Sequence, residues 1–233
     1  MAEPILKRVS VNYIEDLEQR CTFPVVCVVM SLLQVIAYEP YAAGNLSWLV
    51  YLSGCPSRWE VPRWILYTFA HSSVAHVLCN VFVLLFLGIT LEPVHGSIPF
   101  LGVYVVSAVG AAVFHGVIWP NIGLVGSSGA VFGLLGARFG NILLNAESMP
   151  LLAFRFCILA SLGTVGLLDY LINPSESVSY SCHAAGFVVG LVCSLWWFRN
   201  LNERRGEKLA RWVLSIAFAV GFVYTIWSYI SYC

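Results

Sequence analysis

Apolar runs alternate with short polar connections along most of the chain. Each run is close to the roughly 20 residues that a helix needs to cross the hydrocarbon core of a bilayer. The pattern therefore predicts an all-α, polytopic membrane protein with seven transmembrane helices. The predicted spans are residues 22–41, 74–91, 98–118, 127–144, 151–171, 181–199 and 210–230.

The longest connection, residues 42–73, is itself partly apolar and is interrupted by glycine and proline. It carries three tryptophans, Trp48, Trp59 and Trp64. Because tryptophan favours the headgroup region of a membrane, this connection is predicted to lie in the outer leaflet as an interfacial structure.

Composition supports the membrane assignment. Hydrophobic residues make up 59% of the chain and charged residues 10%, against about 25% charged residues in ordinary soluble domains. The net charge is zero and no basic block is present, so nucleic acid is not an expected partner. The first apolar run lacks a convincing small-residue cleavage site and is interpreted as an anchor rather than a signal peptide.

The eight cysteines show no CxxC spacing and no metal-ligand pattern. Most lie inside apolar runs, where a free cysteine behaves as a small hydrophobic residue. We therefore expect no metal, no cofactor and no disulfide framework, and leave open whether Cys55 and Cys233 pair.

Positive charge predicts the orientation. With seven spans, all basic residues but Arg58 and Arg63 fall on one side of the membrane. By the positive-inside rule that side is cytosolic, which places the N-terminus in the cytosol and the C-terminus outside. The residues that set this bias are Lys7, Arg8, Arg20, Arg138, Arg155, Arg199, Arg204, Arg205, Lys208 and Arg211.

Three segments follow from this topology. Residues 1–21 form a short cytosolic head, residues 22–199 a six-helix core, and residues 200–233 a cytosolic basic linker with the seventh helix. The sequon at Asn45 falls in the first outer connection; its use as a glycosylation site is left open.

Polar residues converge at the outer ends of three spans. The second span begins with His71, His76 and Asn80, the fourth with Ser128, and the sixth with His183. Polar residues in membrane spans are rare and usually face the bundle interior or a water-filled cavity. Because these residues are predicted to lie at a similar depth in the outer half of the membrane, we expect them to form a common site.

The residue types indicate acyl-transfer chemistry. A serine hydroxyl becomes a good nucleophile when a neighbouring histidine takes its proton, so Ser128 is the candidate nucleophile and His183 the candidate base. The side chains of His76 and Asn80 and the backbone N–H of Ser128 are candidates to stabilise an oxyanion. Asp169 is the one acid in the outer half of the spans, and nothing in its spacing directs it at His183, which favours a dyad.

A packing interpretation competes with this one for each motif taken alone. Gly126-Ser127-Ser128-Gly129 in a glycine-rich helix is more often a packing device, and each histidine could be a structural hydrogen bonder. Glycines at helical spacing in the fourth and sixth spans also let two membrane helices approach closely. The joint placement of serine, histidines and asparagine at one depth favours catalysis. His95 and His115 fall outside this group.

Several motifs together resemble the rhomboid intramembrane serine proteases, over residues 22 to 230. His71, His76 and Asn80 match the family's HxxxxHxxxN pattern, and Gly126 to Gly129 match GxSG, whose third residue is the nucleophile. His183 with Gly186 and Gly190 matches the pattern around the catalytic histidine. Glu60 and Arg63 fit the membrane-lying first loop, and Leu91 to Gly96 fit the turn after the second helix.

The resemblance implies a six-helix rhomboid core plus one C-terminal helix, the eukaryotic secretase-type order. It implies cleavage of single-pass membrane proteins, such as growth-factor precursors, in a secretory compartment: Golgi, endosome or plasma membrane. Two positions depart from the pattern. Pro62 precedes Arg63 where the family often has tryptophan, and Phe132 stands where a tyrosine often packs on the catalytic histidine. His71, Gly126, Gly129, Phe132 and Gly186 are expected to support the site.

Two functions remain as hypotheses. The first is an active intramembrane endopeptidase that prefers substrates with helix-weakening residues near the cut. The second is a non-proteolytic chaperone or trafficking factor that binds transmembrane segments, as rhomboid-like pseudoproteases do. The intact serine and histidine favour the first. A small transporter is disfavoured because neither paired midplane charges nor repeated halves are found.

Overall fold

A computed structural model describes residues 23–50, 62–119, 122–149, 151–172, 180–201, 203 and 206–232. The predicted N-terminal head, Arg58, Glu60, Cys55 and Cys233 lie outside these residues, and the side chain of Asp169 is not described. The long helices of the described part are α1 Val25–Ala42, α2 Val74–His95, α3 Ser97–Ile118, α4 Ser128–Asn145, α5 Leu152–Ile172, α6 Tyr180–Trp197 and α7 Glu207–Tyr232.

These seven helices confirm the predicted all-α membrane fold, with every predicted boundary within four residues of the observed one. By length and composition, five of them are apolar enough to cross a membrane: α1, α2, α3, α6 and α7. In α4, glycines, asparagines and Arg138 dilute the apolar character. In α5, the residues whose side chains are described form the shorter apolar stretch Leu152–Leu162.

The largest boundary difference lies at the end of α2, which runs to His95 instead of ending at residue 91. The predicted turn from Leu91 is therefore helical, and the chain turns at Gly96, whose φ is 96°. Glu92 explains the extension. Its buried carboxylate accepts hydrogen bonds from the backbone N–H groups of Val26 (2.9 Å) and Cys27 (2.8 Å), which ties the last turn of α2 to the first turn of α1.

The helix α4 lies at the centre of the bundle. Most of its residues are buried, and it packs chiefly against α6 and α3. The helix α7 contrasts with it, since none of the residues in its apolar window is buried. The sequence motif that begins α4 is therefore placed in the best-packed part of the described protein.

Glycines set the distance between α4 and α6. A Cβ atom added to Gly186 would overlap the carbonyl oxygen of Gly129, and one added to Gly190 would overlap that of Gly133. Real side chains do not occupy such positions, so the two backbones touch directly. The close approach predicted from the glycine spacing is present.

At the end of the bundle away from the start of α4, polar side chains bind the backbone that follows α6. The Nδ1 atom of His95 accepts a hydrogen bond from the backbone of Arg199 (3.1 Å), and its ring stacks on Phe198 at 3.9 Å. Asn145 accepts from the backbone N–H of Leu201 (2.9 Å) through its Oδ1 atom. His95 thus belongs to this end and is far along α2 from His76.

Candidate active site

The loop before α4 turns sharply at Gly126. Its φ of 99° is a conformation that favours glycine, and its backbone N–H donates to the carbonyl of Tyr67 (3.2 Å). A Cβ at this position would lie 2.6 Å from the imidazole ring of His76. Gly126 therefore lets the loop pass against His76 just before the candidate nucleophile.

His115 holds the earlier part of the same loop. Its Nε2 atom lies 2.9 Å from the carbonyl oxygen of Ile122, and the side chain is buried. The ring therefore has a structural contact at the end of α3.

Ser128 and His183 meet across the interface between α4 and α6. Ser128 is the first residue of α4, and its Oγ atom lies 2.8 Å from Nε2 of His183. This distance is within hydrogen-bond reach, which is the geometry that a serine and its general base require. Both side chains are half-buried.

Two aromatic rings hold the imidazole of His183. Phe132, one helical turn after Ser128, stacks on it with centroids 4.2 Å apart and planes at 4°. Tyr180 meets it edge-on at 6.0 Å. The phenylalanine that departs from the family pattern thus keeps the stacking contact, because stacking uses the ring and not a hydroxyl group.

His76 and Asn80 share one face of α2. Ser73 caps this helix by accepting from the backbone N–H of His76 (3.1 Å), and Ser72 Oγ lies 3.1 Å from His76 Nδ1. The Nδ2 atom of Asn80 donates to the backbone carbonyl of His76 (3.0 Å). The structure thus places His76 beside the loop that precedes Ser128, with Asn80 one turn further along the helix.

His71 lies just before α2 and contacts both His76 and the backbone of Ser127. Its ring meets that of His76 edge-on at 5.1 Å, and its Nε2 atom accepts from the backbone N–H of Ser127 (3.5 Å). Burial, together with the nearby His76, lowers the pKa of His71 to about 4. The ring is therefore neutral near pH 7, as an acceptor at Nε2 requires.

The sequence does not predict which residues pack against the segment around the candidate nucleophile. Tyr67 donates through its hydroxyl to the carbonyl of Ala108 (3.1 Å) and lies against Gly129. Ser127 donates through its Oγ atom to Gln34 of α1 (2.8 Å). The available signal was Gln34 itself, a polar residue inside an apolar span, where polar groups usually face the bundle interior. Within the described residues, no group of three or more His, Cys, Asp or Glu side chains could hold a metal ion.

Comparison with known proteins gives the class of protein. A family model described as Rhomboid domain matches residues 58–200, which is more than half of the chain and contains every candidate site residue. The chain therefore belongs to the rhomboid family.

Individual relatives come from animals and bacteria. The chain is 29% identical to Rhomboid-related protein 1 of Caenorhabditis elegans, covering 97% of this chain and 71% of that protein. It is 26% identical to human Rhomboid-related protein 3, covering 75% of this chain and 46% of that protein. Rhomboid protease GlpG of Yersinia pestis is 28% identical, covering 76% of this chain and 61% of that protein.

Proposed function

We propose that this multi-pass membrane protein is an intramembrane serine endopeptidase. The contact that carries the proposal is the one between Ser128 Oγ and His183 Nε2, at 2.8 Å. The family assignment supports it, because a relative is described as a rhomboid protease. A serine placed for packing alone would not need an imidazole nitrogen within hydrogen-bond distance.

The reaction uses the two residues as a dyad. Ser128 attacks the scissile carbonyl while His183 takes its proton, and a tetrahedral intermediate forms. His183 then returns the proton to the leaving amine, which frees the first product. Water attacks the resulting acyl-enzyme with His183 again as base, and the second product leaves Ser128 regenerated.

Donors for the oxyanion come from α2 and from the start of α4. The backbone N–H of Ser128 lies in the first turn of α4, where such groups lack partners within the helix. Asn80 donates to the carbonyl of His76 in its own helix. We infer that its amide turns from this bond toward the oxyanion as the intermediate forms, with the ring of His76 as the third donor.

The half-buried positions of Ser128 and His183 support water access, which hydrolysis requires. Substrates are proposed to be single-pass membrane proteins, including precursors of secreted growth factors. Because a lipid-exposed helix keeps its backbone groups internally bonded, Gly, Ser or Pro near the cut favours cleavage. The excess of basic residues on one side supports a cytosolic N-terminus and an outward site. Residence in the secretory pathway is proposed from the resemblance to eukaryotic secretase-type rhomboids.

Co-expression with a single-pass reporter carrying a glycine-containing outer segment tests the proposal. Wild-type protein releases the reporter's outer domain, and Ser128→Ala and His183→Ala reduce release by at least about 1,000-fold. Ser161→Ala is the matched control, because Ser161 is exposed and its hydroxyl donates to the carbonyl of Cys157 in its own helix.

The pseudoprotease alternative gives a different result in the same experiment. The reporter then co-purifies equally with wild type and Ser128→Ala, and neither protein releases its outer domain. That outcome, or equal cleavage by wild type and Ser128→Ala, contradicts the proposed reaction.

A further inference from the structure

The residue before the nucleophile takes part in a buried network that crosses the bundle. Ser127 Oγ donates to Oε1 of Gln34 at 2.8 Å, and Nε2 of Gln34 donates to the hydroxyl of Tyr104 at 3.4 Å. All three side chains are fully buried. The network joins α1, α3 and the start of α4, and Gln34 and Ser127 are 93 residues apart in the chain.

Ser127 occupies a position at which a serine side chain ordinarily caps the helix that follows it. It holds the N-cap position of α4, yet its side chain makes no capping hydrogen bond there. A capping serine usually accepts from a backbone N–H two or three residues later. The hydroxyl of Ser127 instead donates to Gln34 on another helix, so its contact serves the placement of α4 in the bundle.

Burial of the Gln34 amide favours its hydrogen bond with Ser127 over an arrangement that leaves the amide unpaired. Gln34 lies within α1, and its side chain is closed off from solvent. A polar group that is buried in an apolar interior without a hydrogen bond destabilises the fold. The Oε1 atom of Gln34 has a hydrogen-bond donor only while Ser127 keeps its observed position relative to α1. A shift of the loop before α4 would break this bond.

Two further bonds fix the same short segment. The N–H of Ser127 donates to His71, and the N–H of Gly126 donates to the carbonyl of Tyr67. These bonds hold the backbone from the side of the connection before α2. Gln34 holds the side chain from α1, so residues 126–127 are fixed from two sides directly before Ser128.

We propose that Gln34 is a positioning residue for the nucleophile. Through Ser127 it fixes the height and rotation of the first turn of α4, so that Ser128 Oγ meets His183 Nε2. The inference rests on the proposed protease function for its kinetic consequence. That Gln34 orders the segment before Ser128 does not depend on the protease function, and hydrogen exchange tests it directly.

A purely stabilising role predicts a different result. In that case the loss of the buried hydrogen bond lowers the free energy of unfolding and leaves the turnover of the folded molecules unchanged. A positioning role lowers turnover, because a displacement of about 1 Å can cost roughly 100-fold in rate. Substrate affinity changes little in that case.

The test compares Gln34→Leu, Ser127→Ala and the double variant with wild type in the reporter assay. Rates are normalised to folded protein, and unfolding is measured in the same detergent. Each single variant is expected to lower kcat by about 10- to 100-fold with KM within about twofold. The double variant falls no further, since both changes remove one contact. Gln34→Glu keeps an acceptor oxygen and restores part of kcat.

Ser31→Ala is the matched control. Ser31 lies one turn before Gln34 on α1 and is buried, and its Oγ atom has no hydrogen-bond partner among the described residues. This variant is expected to keep wild-type kcat. Additive losses from Gln34→Leu and Ser127→Ala, or unchanged kcat in both, would overturn the proposal.

Hydrogen exchange separates this inference from the proposed function. Gln34→Leu is expected to speed exchange of the backbone amides of residues 122–132, relative to Ser31→Ala. If wild-type protein does not cut the reporter, the protease proposal fails and this measurement alone decides the role of Gln34. Unchanged exchange in Gln34→Leu contradicts it.

Discussion

The α4–α6 interface and the outer helix α7 use glycine in opposite ways. At the interface, a methyl group on Gly186 or Gly190 would overlap a backbone carbonyl of the facing helix. On α7, a methyl group on Gly221 would meet nothing within 4 Å. All three residues are glycines, but only Gly186 and Gly190 are needed for two helix backbones to lie in contact.

This difference shows which parts of the chain determine the site. The interface brings Ser128 of α4 to His183 of α6, so its spacing sets the distance between the proposed nucleophile and the proposed base. Contacts between α7 and the rest of the bundle include those of Trp196 with Ser215 and Trp212. We therefore expect substitutions at the interface to change both folding and chemistry, and substitutions on the exposed face of α7 to change neither.

Gly186→Ala is expected to have the largest effect. The added methyl group overlaps the carbonyl oxygen of Gly129, next to Ser128, so α4 and α6 must separate. The free energy of unfolding is expected to fall by about 3 kcal/mol or more. Reporter cleavage per folded molecule falls by at least about 100-fold, because the dyad is displaced. Unfolding titrations in detergent and the reporter assay measure the two effects.

Gly221→Ala is the control for that prediction. Because its methyl group meets open space, stability and cleavage are expected to match wild type or to gain slightly from the higher helix propensity of alanine. Equal losses in Gly186→Ala and Gly221→Ala would show that the comparison between the two regions is wrong.

Glu92→Gln is expected to have an intermediate effect, on stability alone. The amide nitrogen of glutamine cannot accept the second of the two N–H bonds from the start of α1. The free energy of unfolding is expected to fall by about 1–3 kcal/mol, with kcat per folded molecule near wild type. Glu39→Gln, at an exposed position of α1, is the control. A similar loss there would contradict the role of Glu92 in joining α2 to α1.

Phe132→Leu is expected to have the smallest effect, on activity. It removes the stacked ring that lies 4.2 Å from the centroid of His183. Aromatic pairs contribute about 0.5–1.5 kcal/mol, which corresponds to a roughly 2- to 12-fold lower kcat. Phe82→Leu, on an exposed face of α2, is the control. Unchanged kcat in Phe132→Leu would show that the imidazole is held without this ring.

The helices were predictable because each apolar run must pass through the same hydrocarbon thickness. The exception, the end of α2, depends on a contact that periodicity cannot show. Pro93 lies in the last turn of α2, where a proline removes only one backbone bond. The buried carboxylate of Glu92 holds that turn against α1.

The pair of Ser128 and His183 was predictable from spacing and shared depth. Its supports were not, since they depend on partners distant in the chain. A single glutamine at position 34 indicates a buried contact but does not identify Ser127 as its partner. Of the two adjacent serines, Ser127 bonds across to α1 and Ser128 meets the imidazole.

Covalent labelling with a fluorophosphonate probe tests the central claim most directly. After treatment of wild-type protein, peptide mass spectrometry is expected to find the adduct on Ser128 and none on Ser127. In His183→Ala the labelling rate falls to background, because the base that takes the serine proton is gone. An adduct on Ser127, labelling of His183→Ala at the wild-type rate, or no adduct at all would contradict the account.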